Sequence, residues 1–162
     1  MTIEWSYNAM AAVPTPATLR DDLCDYLAGR VRLREGKTGT ANLICPVPAT
    51  FHQKHIRRLW LTYSDGDHGG DDSEVRAAIR FIRKRDGHVQ TVGDNHPEWS
   101  TVSSNDDNAP NSGNGWATHQ SNLGFERIGV LDFNERYYYV QITLKRSNPD
   151  IGVRAMGVEL TN

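Results

Sequence analysis

Only two cysteines occur in the chain, Cys24 and Cys45, and they stand too far apart to form a CxxC metal-binding pair. The chain also lacks an HExxH zinc pattern, a phosphate-binding P-loop, a GxGxxG dinucleotide pattern and the GxSxG pattern of serine hydrolases. These absences count against zinc enzymes, nucleotide-dependent enzymes and serine hydrolases. We therefore expect a protein that is not an enzyme, in which both thiols stay reduced as small apolar fillers.

Long apolar runs and an excess of charge are absent too. No run is long enough to cross a bilayer, so we expect no membrane partner. The net charge of -2 disfavours non-specific binding to nucleic acid. The first residues carry no basic region followed by an apolar stretch, and the missing signal peptide favours a cytoplasmic location. The composition, with 38% hydrophobic and 23% charged residues in 162, is that of one globular domain spanning residues 1–162.

What the chain does contain is strand patterns, and the clearest lie near its end. Residues 137–144 alternate between apolar and polar side chains, which is the period of a half-buried strand. A turn rich in Ser, Asn, Pro and Asp follows, and then a second run at 151–160 that places Met156, Val158 and Leu160 on one face. Two long strands joined by a short turn predict an antiparallel pair with one apolar face to cover.

The rest of the chain repeats this pattern at shorter intervals. A first strand is expected within residues 1–13, and others at 29–34, 38–45, 55–63, 74–85, 89–92 and 125–133. Residues 16–28 have helical spacing after Thr15-Pro16, but an irregular loop is an equal alternative. Residues 91–121 are the least structured by pattern. Parallel folds need helices between the strands, so we predict an all-β antiparallel β-sandwich, jelly-roll or Ig-like, of about eight strands with at most one short helix.

Four of these segments together resemble a known type of protein. They are the Gly-Thr strand ending in Pro-x-Pro at 38–48, the strand after an Arg-Arg pair at 56–63, the Val-to-Asp-Gly stretch at 75–87 and the Tyr-rich pair at 137–160. In this order they resemble a group of small uncharacterised microbial proteins that are single all-β domains. The resemblance implies the fold and a single domain. The group has no established activity, so the resemblance implies nothing about mechanism.

Two tryptophans, Trp99 and Trp116, flank a polar loop and lie outside the predicted strands. Aromatic rings on the loops of a sandwich stack on the apolar faces of sugars, while polar neighbours bind the hydroxyls. With Asn114 and His119 they form the predicted ligand-binding set, and the 93–122 segment forms the predicted surface. The alternative is that each tryptophan anchors its loop to the core. We predict a non-catalytic binding module whose leading ligand class is carbohydrate.

An acidic, glycine-rich loop offers the only metal-like pattern. Asp65, Asp67, Asp71 and Asp72 could turn several carboxylates towards one Ca²⁺ ion, but the twelfth position of an EF-hand loop would be Arg76 instead of glutamate. A solvated loop is the favoured interpretation, and no cofactor is expected. A metal-dependent hydrolase is therefore the least favoured function.

A self-assembling structural or interaction subunit is the main alternative function. Residues 56–63 carry large apolar groups on both faces, and the Tyr137–Tyr139 run adds more than one buried face needs. This predicts a homo-oligomer. Arg80, Arg83, Lys84 and Arg85 form a basic cluster that could hold nucleic acid, but the net charge favours a strand end whose charges prevent edge pairing.

Overall fold

The computed structural model describes residues 2–93, 96–121 and 129–162. Over these ranges the chain forms one short helix, α1 (Pro16–Arg20), and three 3-10 turns, Ala9–Ala11, Ala49–Phe51 and Pro97–Trp99. The strands are β1 (Ile3–Asn8), β2 (Val13–Pro14), β3 (Cys24–Leu27), β4 (Arg30–Leu33), β5 (Gly39–Pro46), β6 (His55–Ile56), β7 (Arg58–Asp65), β8 (Ser73–Arg83), β9 (Val89–Thr91), β10 (Thr101–Ser103), β11 (Ala117–Gln120), β12 (Gly129–Val130), β13 (Arg136–Arg146) and β14 (Val153–Thr161). None of the described helices has the length and apolar character needed to cross a membrane.

Two antiparallel sheets form the body of the protein. The first sheet has the order β11-β7-β14-β4-β3, with β1 also paired to β14. The second has the order β10-β8-β13-β5-β2, with β9 also paired to β8. A small two-stranded ribbon joins β6 to β12. The prediction of an all-β sandwich is confirmed.

The pairing order identifies the type of sandwich. Four strands taken in chain order, β4, β5, β7 and β8, pair with four later strands in reverse order, β14, β13, β11 and β10. The chain therefore forms one long antiparallel ribbon that wraps so that its strand pairs alternate between the sheets. This is the eight-stranded jelly roll, and not the Ig-like alternative. Two strands of this frame, β10 and β11, were not predicted, whereas the strand predicted at 89–92 is β9, which extends the second sheet beside β8.

The predicted pairing of the last two strands is wrong. β13 pairs with β8 and β5 in the second sheet, whereas β14 pairs with β7, β4 and β1 in the first. Each of the two strands has an apolar face. When the strands lie in opposite sheets, these faces meet across the core, and each strand still has neighbours on both sides.

The core lies between the inner faces of the two sheets. The predicted inward residues are buried in β13 (Tyr138, Val140, Ile142 and Leu144) and in β8 (Val75, Ala77, Ile79 and Phe81). Three alternate residues of β7 are also buried: Leu59, Leu61 and Tyr63. Met156 does not follow the prediction, because its side chain is exposed. The register of β14 on β7 shifts between Ala155 and Gly157, so a β-bulge at Met156 turns that side chain outwards and keeps Val158 and Leu160 inside.

Two further segments differ from the sequence predictions, and a third lies partly outside the described residues. Residues 16–28, for which a helix and an irregular loop are equal alternatives, form a helix from Pro16 that ends at Arg20, because the edge hairpin of β3 and β4 follows. Gly29 makes that hairpin turn at a φ of 75°. The segment at 91–121 contains two real edge strands, β10 and β11. Of the strand predicted at 125–133, residues 125–128 lie outside the described residues, and β12 is the strand seen beyond them.

Candidate functional site

Asp65, the first of the four candidate metal ligands, is a buried hydrogen-bond acceptor at the end of β7. Its side chain is 1% exposed. The Ser73 hydroxyl donates to Oδ1 at 2.5 Å and the Ser104 hydroxyl donates to Oδ2 at 2.6 Å. The backbone N–H of Asp67 also donates to Oδ1, at 3.1 Å. The carboxylate therefore joins β7, β8 and the segment after β10 from inside the protein.

The other three acidic residues do not converge with it. Asp71 and Asp72 are exposed, and the Oδ2 atom of Asp67 accepts the backbone N–H of Asp72 at 3.3 Å. Within the described ranges, no group of three His, Cys, Asp or Glu side chains is arranged to hold a metal ion. The string that resembled a metal loop in the sequence is thus one buried structural carboxylate followed by an exposed turn.

The polar stretch at 105–115 is anchored to the same end of β7. The Tyr63 hydroxyl donates to the carbonyl oxygen of Pro110 at 2.5 Å, and the Ser112 hydroxyl accepts the backbone N–H of Asp65 at 2.9 Å. Burial, together with the nearby carboxylates of Asp65 and Asp106, raises the pKa of Tyr63 to about 12. The phenol therefore stays protonated and keeps donating, so this stretch has a defined attachment to the sandwich.

Each of the two tryptophans has a ring or cation against it. Trp99 is half-buried and stacks on His96, with ring centroids 4.1 Å apart and planes inclined by 12°. Trp116 is also half-buried, and the Arg154 guanidinium lies 4.7 Å from its ring centroid. Neither ring is fully exposed, as stacking on a ligand would require, and neither is a core residue, as anchoring of its loop would require. Each of these two alternatives therefore describes part of the arrangement.

One groove on the surface, groove 1, has a volume of about 710 Å³. Part of its lining comes from the outer face of the second sheet and part from the 93–122 segment that was predicted to bind ligand. Groove 1 is lined by Arg76, Ala78, Arg80, Thr91, Pro97, Glu98, Thr101, Asp106, Asp107, Asn108, His119, Gln120, Gln141 and Thr143.

The floor of groove 1 follows from strand alternation. Because Ala77 and Ile79 of β8 point into the core, Ala78 lies on the outer face, with Arg76 and Arg80 two positions to either side of it. Ala78 pairs with Thr101 on one neighbouring strand and with Gln141 on the other. The small alanine between longer side chains leaves a depression at this point.

The amide of Gln141 is held in place. Its Nε2 atom donates to Oδ1 of Asn42 at 3.1 Å, and the Thr143 hydroxyl donates to the same oxygen at 2.9 Å. These three residues lie on the paired strands β13 and β5. The floor therefore carries polar groups whose positions are set by the backbone of the sheet, as a preformed binding surface requires.

The wall of groove 1 is acidic, but its acids are partly engaged. Asp106 Oδ2 lies 3.2 Å from Nε2 of the buried His119 and accepts the backbone N–H of Ser103 at 3.0 Å. Glu98 lies 3.1 Å from Nδ1 of His96, and hydrogen bonds from its own backbone N–H and from His96 lower the pKa of its carboxyl. Glu98 is thus held as an ionised acceptor, and Asp106 already accepts a hydrogen bond from the protein.

A second groove, groove 2, lies at another part of the surface and has a volume of about 650 Å³. Asn114 and Arg154 line it, and Arg154 donates to the Asn114 carbonyl at 2.8 Å and to the Ser64 hydroxyl at 3.1 Å. The predicted ligand residues are therefore divided between two places. His119 lines groove 1, and Trp99 directly follows the lining residues Pro97 and Glu98 in the chain. Asn114 lines groove 2, and Trp116 packs against Arg154, which also lines groove 2.

This arrangement can be compared with proteins already known. The chain matches no protein-family model and no curated protein. Its own geometry must therefore support any assignment of function.

Several residues of groove 1 were not singled out from the sequence. Arg76, Gln141 and Thr143 occupy outward positions of strands whose inward residues were assigned correctly. The same two-residue period that identified the core also identifies these outward positions. It does not reveal which outward residues meet across strands, because that depends on register and pairing order.

Proposed function

We propose that this protein is a non-catalytic jelly-roll module that binds a saccharide in groove 1. The observation that carries the proposal is the set of polar side chains held on paired strands around the depression at Ala78. Amides, carboxylates and guanidinium groups are the partners that sugar hydroxyls need, since each hydroxyl both donates and accepts. The groove volume is within the range of about 300–1,000 Å³ that is typical of ligand sites.

Two of the three acids of groove 1, Glu98 and Asp106, favour binding over catalysis. A hydrolase of glycosidic bonds needs one carboxyl whose raised pKa keeps it protonated as a proton donor. The pKa of Glu98 is lowered instead, and Asp106 is engaged by His119 and by the Ser103 backbone. Both are suited to accept hydrogen bonds from hydroxyls. The jelly-roll scaffold adds only an analogy, since one fold serves many functions.

A glycan array followed by calorimetric titration of the strongest ligand tests the proposal. Gln141→Ala removes a floor amide and is expected to weaken binding about tenfold, the effect of losing about one good hydrogen bond. Asn114→Ala is the matched control, because it removes an amide from groove 2, and it should leave the affinity within about twofold. Absence of binding to every glycan, or an equal loss in both variants, would contradict groove 1 as a saccharide site.

An assembly subunit is the second candidate, and exposed apolar residues near one edge favour it. Val13 of the edge strand β2 is 56% exposed and Leu19 of α1 is 67% exposed. Residues 56–63 give this candidate less support, because Trp60 is half-buried and its Nε1 donates to the Thr161 hydroxyl at 3.0 Å, whereas Tyr137 is 58% exposed and still favours it. Light scattering at high protein concentration tests it, and Val13→Lys should dissociate any oligomer. A monomer at every concentration would remove this candidate.

A further inference from the structure

We infer that the ligand of groove 1 is an acidic saccharide whose carboxylate binds over Ala78, between Arg76 and Arg80. This inference rests on the proposed saccharide function and narrows it to one chemical class. It depends on two arginines on one face of β8 that form no ion pair with an acidic side chain of residues 2–93, 96–121 or 129–162.

The two arginines flank the depression symmetrically. They stand two residues before and two residues after Ala78, so their Cα atoms lie about 13 Å apart along the strand at roughly 3.3 Å per residue. Long guanidinium side chains from both ends can reach a group bound in the middle. Both side chains line groove 1, and the small Ala78 leaves the space between them open.

Neither arginine takes part in an ion pair with any residue in the described ranges. In addition, the Nε atom of Arg80 is buried and has no hydrogen-bond partner. A buried donor without a partner is costly, and a rotation of the Arg80 side chain towards a ligand oxygen in groove 1 would relieve that cost. Arg30 and Arg58 have a similar Nε atom, but neither lines groove 1.

Two other arginines of the chain are paired with acidic side chains of the protein itself. Arg83 pairs with Asp86, and Arg34 pairs with Asp25. The basic cluster expected at 80–85 is therefore divided, since Arg83 is engaged at the β8–β9 turn while Arg80 lies in groove 1. The unpaired positive charge in groove 1 is a local property of its floor.

The distribution of charge in groove 1 selects among anionic ligands. A carboxylate can accept two parallel hydrogen bonds from one guanidinium, which favours it over a single-point contact. The rim carries Asp106, Asp107 and Glu98, which repel further negative charge but accept hydroxyl groups well. A polyanion such as nucleic acid would meet these acids along its length. A ligand with one carboxylate and several hydroxyls satisfies both the floor and the rim.

The test measures binding of galacturonic-acid, glucuronic-acid and sialic-acid oligosaccharides by calorimetry, next to neutral oligosaccharides of equal length. We expect the acidic set to contain a ligand that binds at least tenfold more tightly than its neutral counterpart, with an affinity that falls as salt is added. Arg80→Gln should reduce that affinity about tenfold or more, since a hydrogen bond to a charged group is lost. Arg85→Gln is the matched control, because Arg85 is exposed and lies outside groove 1, and it should change affinity less than twofold.

The outcomes separate this inference from the function on which it rests. Equal binding of neutral and acidic saccharides, unaffected by Arg80→Gln, would overturn the inference and leave the saccharide site standing. Binding of neither set would contradict both. If inorganic sulfate, added at the same concentration as the acidic saccharide, displaces that saccharide from groove 1, the inference is also overturned, because groove 1 is then a general anion site. Circular dichroism of each variant checks that the fold is retained.

Discussion

Replacing the buried carboxylate of Asp65 by a methyl group should be among the most destabilising single changes in this protein. Asp65→Ala removes the acceptor of three hydrogen bonds, two from the hydroxyls of Ser73 and Ser104 and one from the Asp67 backbone. Both serines are buried, at 1% and 0% exposure, so water does not readily replace the lost partner. The substitution therefore leaves buried donors unsatisfied as well as an empty space.

The magnitude follows from the bonds lost. Hydrogen bonds to a charged acceptor contribute about 1.5–3 kcal/mol each, but the serine hydroxyls can rotate towards other acceptors and recover part of this. We expect the free energy of unfolding to fall by about 3–5 kcal/mol, as for breaking a buried charged network. At about 2–4 °C per kcal/mol for a domain of this size, the melting temperature should drop by roughly 6–20 °C.

Urea denaturation followed by circular dichroism measures this change. Asp65→Asn keeps one acceptor oxygen and should cost less, about 1–2 kcal/mol. Asp71→Ala is the matched control, since Asp71 is an exposed acid in the same loop, and its effect should stay within about 0.5 kcal/mol. A loss below about 1 kcal/mol for Asp65→Ala, or an equal loss for Asp71→Ala, would refute the structural role argued for this carboxylate.

Three other predictions test separate parts of the molecule. Arg146 is 4% exposed and donates to three backbone carbonyls in the turns after β4 and β13. Because a lysine cannot reach all three, Arg146→Lys should lower the free energy of unfolding, measured in urea, by about 2–4 kcal/mol. A loss under about 1 kcal/mol would contradict this. Burial raises the pKa of the Cys24 and Cys45 thiols from 9.0 to about 12. Between pH 9 and 12 the thiols ionise in the unfolded chain and not in the folded one, so the free energy of unfolding should fall as pH rises through this range. An unchanged urea midpoint between about pH 8 and 10.5 would argue against this prediction. Millimolar Ca²⁺ should move the melting temperature by less than about 1 °C, because the acids of the 65–72 loop do not converge, and a rise of several degrees would restore that loop as a metal site.

Much of the secondary structure was accessible from local pattern. The alternation in β13 and β8 gave the correct inward residues, because a strand with one face in a core must separate apolar from polar side chains at every second position. The Asp86-Gly87 turn correctly predicted the hairpin to β9. The many short strand patterns and the scarcity of helix patterns were sufficient to predict an all-β fold.

Local pattern failed where distant residues decide the outcome. The bulge at Met156 reverses the exposure expected for that side chain, because the register of β14 on β7 shifts between Ala155 and Gly157. The helix after Thr15 stops at Arg20, because the next residues pair as an edge hairpin. In each case a tertiary hydrogen-bond partner outweighs a weak local preference.

The candidate site depended on tertiary structure more than the fold did. The sequence by itself determined that two long strands near the end have apolar faces, that few helices form and that the 93–122 segment is polar. Only the tertiary structure decided that those two strands lie in opposite sheets, that Asp65 is buried, and that Arg76, Arg80 and Gln141 surround one small alanine. Alternation along one strand assigns a face to each residue, but the neighbours across strands depend on pairing order and register, which hydrogen bonds between distant segments establish.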